Sequence, residues 1–206
     1  MKLIDMTVTD FASEVDSNSP APGGGSVSAL ASDIGVGLAR MMAHLSFGKK
    51  KFEALDDKTK EEFKVRFDKL GEIRTELSTL VDKDTESFNE FMKALKLPKE
   101  TDEEKVARAK AMEEATIFSI EVPYKTAKLS LEALKLLDFL VANGNQNAIT
   151  DIGVGTLMIA TGMEGAILNV KVNLMGLENK EIHDKYSKGC KEILCEGQKI
   201  KDDIIA

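Results

Sequence analysis

DIGVGTLMIATGMEGAILNVKVNL, residues 151–174, is apolar along nearly its whole length, yet Gly, Ala and Thr recur throughout it. No alternation of period two runs through it, and its length suits a helix rather than a strand. Its small residues lower helix propensity but let a neighbouring helix approach closely. The segment therefore belongs at the centre of a helical bundle or in a subunit contact. Asp151, Glu164, Asn169 and Asn173 interrupt it, and polar groups in such a setting need partners. Asn169 and Asn173 are four apart and share a face. These side chains either satisfy backbone and interhelical hydrogen bonds or line a polar pocket.

Working outward, the remaining chain also reads as helix. Thr7 with Asp10 opens a short amphipathic segment over 7–16. A second helix runs over about 24–47, and a charged connector, 52–60, leads to a third that reaches Lys96. Pro98 prevents its continuation. Thr101 and Glu104 form a capping box for a fourth helix, which carries Pro123 inside its pattern, so a kink or break is expected near Val122. It ends at Asn143 and Gly144. The 151–174 segment belongs to a fifth helix starting at about Ala148, and a charged sixth follows over 179–204. The expected fold is all-α: an up-and-down bundle of about six helices with a buried, small-residue-rich fifth helix.

The chain has 206 residues and no internal linker or repeat, which implies one domain, 1–206. No apolar run reads as membrane-spanning and residues 1–9 carry no leader pattern, so a soluble, cytoplasmic protein is expected. Acidic residues outnumber basic ones, 35 to 28, with no long basic block; nucleic acid is an improbable partner. Cys190 and Cys195 read as reduced thiols. His44 and His183 sit in no metal-binding pattern. Met41, Met42, Met158, Met163 and Met175 read as core filling.

The third helix carries a sharper signal. Its apolar stripe steps through Ile73, Leu77, Leu80, Phe88, Phe91 and Leu95, and Asp84 fills the slot between Leu80 and Phe88. A carboxylate on an apolar face costs desolvation unless it is paired or protonated, and burial raises its pKa. That is how a carboxyl becomes an acid or base near neutral pH; the structural alternative is a cap or an Arg partner. The second helix is preceded by SPAPGGGS, residues 19–26, where prolines set the approach and glycines allow close contact. The free N–H groups at such a helix start can hold a carboxylate, a phosphate or a polarised carbonyl. Ser26 and Val27 stand where a Walker loop has lysine and hydroxyl, and no strand precedes the glycines, so neither nucleotide motif is present.

Four stretches, PAPGGGS (20–26), VDKDTESFNEFM (81–92), GNQNAITD (144–151) and GAILNVKVNL (165–174), occur in this order in the cyclodeaminase/cyclohydrolase family of folate enzymes, which this sequence resembles from about Met6 to Lys199. The resemblance implies an all-helical homodimer, without a transferase domain, acting on one-carbon derivatives of tetrahydrofolate. The activity expected is formiminotetrahydrofolate cyclodeaminase, releasing ammonia and closing 5,10-methenyltetrahydrofolate. The alternatives are methenyltetrahydrofolate cyclohydrolase, which opens that ring with water, and a folate-binding scaffold without turnover. Either reaction runs on proton transfer, with no cofactor or metal, and two separated carboxylates serve it. Asp84 is the expected acid/base, and Asp151 its partner or an anchor for the pterin amino group. Asn145, Asn147, Asn169 and Asn173 offer donor and acceptor to the heterocycle. The turn Pro22, Gly23, Gly24, Gly25 and Ser26 binds substrate or shapes the wall. Lys49, with Lys50 and Lys51, would take the glutamate tail of a folate, polyglutamylated or not, or else complement a helix end.

Overall fold

The computed structural model describes residues 2–206. Seven α-helices follow one another: α1 (Val8–Val15), α2 (Gly24–His44), α3 (Lys50–Glu53), α4 (Asp57–Leu95), α5 (Asp102–Asn143), α6 (Ile149–Leu174) and α7 (Lys180–Ile205). Short 3-10 turns lie at Leu3–Asp5 and Gln146–Ala148, and no strand occurs among the described residues. Local chemistry sets the starts. The Thr7 hydroxyl accepts from the Asp10 N–H, and Thr101 and Glu104 form the expected capping box.

The 52–60 segment differs from the connector expected there. Phe52 is drawn into the core and carries the helical turn α3 with it, while Asp56 accepts from the Thr59 N–H and starts α4 at once. This adds a seventh helix to the expected six. Pro123 does not break α5, which is helical throughout. The missing N–H leaves the Ser119 carbonyl without its intrahelical donor, and the Asn173 side-chain amide of α6 donates to that carbonyl at 2.6 Å.

Helices α2, α4, α5 and α6 form a four-membered ring in which α2 touches α4 and α6, and α5 closes the other side; α7 lies against α5 and α6. Cross-links place neighbours antiparallel. Between α2 and α4, Ser26 meets Val81 and Arg40 meets Phe67; between α4 and α5, Lys125 pairs with Glu76 and Arg66 with Asp138. The core is filled by Phe63, Leu70, Ile73 and Leu77 of α4, Leu134, Leu137 and Leu140 of α5, and Ile152, Ile159 and Met163 of α6. Each contributes about 1.5–3 kcal/mol by leaving water.

The small residues of α6 serve the contact with α2. A Cβ at Gly155 would lie 2.7 Å from the Gly35 carbonyl oxygen, and one at Gly162 only 2.4 Å from that of Ser28. The two backbones touch, with Gly24 beside Asn169 at one end and Ala39 beside Gly155 towards the other.

The outer faces of both helices are apolar as well. Val27, Ile34 and Met41 of α2 and Val154, Leu157, Leu168 and Val172 of α6 are exposed, forming one stripe across the pair. Met41 and Met175, expected as core filling, stand on this side, Met175 at 86% exposure. The expectation that no apolar run reaches membrane-spanning length is also corrected. Gln146–Leu174 is long and apolar enough to cross a membrane, because its Ile, Val, Leu, Met and Ala outweigh its few charges; half of its most apolar stretch is buried in the bundle.

Candidate active site

The N-terminus of α2 meets the C-terminal third of α4, with α5 and the C-terminal end of α6 completing a cavity of about 420 Å³. Asp84 is its only ionisable lining residue among those described. The glycine run explains how the carboxyl fits. A Cβ at Gly25 would lie 2.0 Å from Asp84 Oδ1 and 2.4 Å from Cγ, so the carboxyl occupies the space that any other residue's side chain would need. Gly24 is in turn shaved against the Asn169 amide, 3.3 Å from its would-be Cβ. The Gly23 cap has no side chain to accept from the first amides of α2, whose N–H groups are therefore available to a ligand.

Burial pushes the Asp84 carboxyl above the usual carboxylate range, opposed by the Ser26 hydroxyl and backbone N–H. The hydroxyl is a weak opponent. Its single proton goes to the Val81 carbonyl at 2.8 Å, the shorter contact, while Asp84 Oδ2 lies at 3.2 Å. With that proton spent, the Ser26 oxygen accepts from a protonated Asp84 better than it donates to an ionised one.

The two asparagines expected in a pocket are there, and each donates one amide N–H to a backbone carbonyl: Asn169 to Gly165 at 2.9 Å, Asn173 to Ser119 at 2.6 Å. Those bonds fix the two amides at the cavity wall and leave each an Oδ1 acceptor and a second N–H that no protein group takes up. Phe88 and Phe91 supply the apolar wall, and Val172 and Gly176 the rim by the exposed stripe. Both phenylalanines had the look of core residues. They follow Asp84 by four and seven, so the stripe of α4 is core up to Leu80 and pocket beyond it. Ser119 and Thr116 of α5 were not anticipated either; the one available signal was Pro123, four residues after Ser119.

The other expected site residues lie elsewhere. Ser26 is fully buried behind Asp84, and Pro22 is buried beneath the turn, while Pro20 and Ala21 line the cavity instead. Asp151 is in the first turn of α6, eighteen residues from Asn169, or about 27 Å along the helix. One chain does not bring it to Asp84. Asn145 and Asn147 belong to the same remote pole. Asn145 donates to the Leu45 carbonyl at 3.1 Å, its N–H reaches Ser46 Oγ, and its Oδ1 accepts from the Asn147 N–H. These bonds stitch the α5–α6 connection to the end of α2. Lys49 is exposed at that pole as the cap of α3, and no cationic side chain lines the cavity among the described residues.

A helical bundle that holds one carboxyl, two asparagine amides and two phenylalanine rings around a hollow of this size has the groups that acid/base chemistry on a ring-shaped ligand uses. The chain belongs to the formiminotransferase-cyclodeaminase family, whose model matches residues 7–192. It is 32% identical over 198 residues to a methenyltetrahydrofolate cyclohydrolase of Methylorubrum extorquens, covering 96% of this chain and 93% of that one. It is 31% identical to the formimidoyltransferase-cyclodeaminase of Mus musculus and 35% to that of Dictyostelium discoideum, over 95% of this chain but only 36% and 35% of theirs. A crystal structure of formiminotetrahydrofolate cyclodeaminase from Thermotoga maritima has the same fold, with a TM-score of 0.84 over 97% of this chain and 94% of that one at 21% identity.

Proposed function

We propose that the chain is a folate one-carbon enzyme, a formiminotetrahydrofolate cyclodeaminase acting in the cytoplasm as a single-domain homodimer through the apolar α2/α6 stripe. The observation that carries the reading is Asp84, the one ionisable group lining the cavity among the described residues, held against the glycine turn with its pKa raised. The anilinic nitrogen attacks the carbon of the protonated formimino group and forms a bond to it as the C=N double bond becomes single. The proton it sheds must reach the departing nitrogen before the carbon–nitrogen bond breaks and ammonia leaves. A carboxyl with a raised pKa can accept the first proton and deliver it to the second nitrogen, so proton movement alone completes the cycle without a redox group or metal. The amide oxygens of Asn169 and Asn173 suit the pterin's amino and ring N–H donors, and the Phe88 and Phe91 rings its faces. The benzoyl and glutamate parts, polyglutamylated or not, extend beyond the cavity.

A second reading, methenyltetrahydrofolate cyclohydrolase, is favoured by the near-full-length match to a protein of that name. There the ionised carboxyl would activate water against the methenyl carbon. The two are separated by giving purified protein each substrate. The deaminase forms the near-ultraviolet band of the methenyl product with ammonia from the formimino substrate. The cyclohydrolase removes that band from preformed methenyltetrahydrofolate above the buffer rate. In either case Asp84→Asn abolishes turnover; a protein inert towards both, yet binding folate, is a scaffold.

A further inference from the structure

We propose that Asp151 of the partner subunit enters the mouth of each cavity as its second carboxylate, so that each active site is shared between two copies of the chain. The inference rests on the folate reading above for its chemistry and on the α2/α6 stripe for its geometry. Seven exposed apolar side chains, Leu168 and Val172 each more than 60% exposed, make up that stripe on two adjacent helices, an apolar surface of the kind a second copy covers. Its last α6 member, Val172, 66% exposed, also lines the cavity, so whatever covers the stripe reaches the site.

A two-fold axis across the middle of α6 stacks the helix on its own copy, antiparallel, and exchanges its ends. Position 151 then comes opposite position 172, at the cavity rim. The superposed ends carry opposite charge, Asp151 in the first turn and Lys171 in the last. Lateral placement agrees too. Residues 151 and 169 are separated by eighteen positions, five whole turns at 3.6 residues each, so Asp151 and Asn169 point to the same side of α6. That is the side of α2 and the glycine turn, and an exchange of ends about this axis preserves it. The partner's Asp151 thus faces the hollow opposite Asp84, where a second carboxylate stabilises the amidinium or methenyl cation while Asp84 carries the proton between the two nitrogens.

Two experiments test this, one of them independent of activity. With Cys195, the exposed thiol, changed to serine, the pair Asp151→Cys and Val172→Cys treated with a short bismaleimide is expected to yield a covalent dimer, and either single cysteine none. Absence of that dimer overturns the placement. For the chemistry, Asp84→Asn and Asp151→Asn are each expected to lose at least 100-fold in turnover. Co-refolding them in equal amounts should restore about a quarter of wild-type activity, because half the dimers are mixed and each of these has one intact site of two. No recovery, or full activity of Asp151→Asn alone, overturns the shared site. A cross-linked dimer inert towards both folate substrates would instead overturn the functional reading and leave the placement standing.

Discussion

Replacing Gly25 by alanine tests the central contact of the site. The new methyl would lie 2.0 Å from Asp84 Oδ1 and 2.5 Å from Oδ2, whereas ordinary contact begins at 3.4 Å. The carboxyl is the end of a side chain bordering open space, so it yields, retreating into the cavity by about 1.4 Å, a misplacement that costs catalysis on the order of 100-fold. That loss corresponds to about 2.7 kcal/mol of transition-state stabilisation. The fold should survive, with about 1–3 kcal/mol of overpacking cost at most. In a chain of this size each kcal/mol lowers Tm by about 2–4 °C. Gly24→Ala is the graded comparison: its methyl meets only the Asn169 amide, at 3.3 Å, and a loss of less than about tenfold is expected. The assay is kcat/KM on 5-formiminotetrahydrofolate, or on the methenyl compound, beside a thermal melt. A Gly25→Ala enzyme with undiminished turnover would refute the claim that this carboxyl works from the position it occupies.

Other outcomes follow from the same geometry. Burial raises the carboxyls of both Asp33 and Asp84, the former despite Arg74 at 3.3 Å. A raised folded-state pKa gives stability that is fully present below the unfolded pKa and is lost as pH rises through the folded one. Asp33→Asn should therefore flatten the fall in urea midpoint between mildly acidic and neutral pH, and an unchanged slope would count against the burial. Asn173→Ala removes the donor to the Ser119 carbonyl and should cost about 1–3 kcal/mol. In a Pro123→Ala background the backbone supplies a donor and the cost should shrink; equal costs in both backgrounds would sink the account. Gly162→Ala drives a methyl to 2.1 Å from Ser32 Oγ and 2.4 Å from the Ser28 carbonyl. It should lower Tm by several degrees, and an unshifted melt would mean that α2 and α6 are not in backbone contact.

Much of this architecture is written locally. Thr101 with Glu104, and Asp84 in an otherwise apolar row, act through spacings of three and four residues that a sequence displays directly. So does the Asn169–Asn173 pair, although one N–H of each amide goes to a backbone carbonyl. What stayed illegible depends on the third dimension. Phe88 and Phe91 continue the apolar period of α4 without a change of residue type, so nothing marks where core becomes pocket. Phe52 turns a charged connector into α3 because its burial outweighs the charge around it. Asp151 shares the chemistry of Asp84 but stands at the other end of a 26-residue helix, a distance that residue types cannot convey.

The carboxyl of Asp84 resting where position 25 has only a hydrogen ties two sites 59 residues apart into a single choice. A chain with any larger residue at 25 has lost the seat for the acid, and one that lacks the acid is free to put a side chain there. Among related sequences the pair can therefore be scored as a unit: on the proposed chemistry, glycine with aspartate is the combination expected of a working proton carrier, and a departure at both that of a descendant which keeps the shell after giving up the reaction.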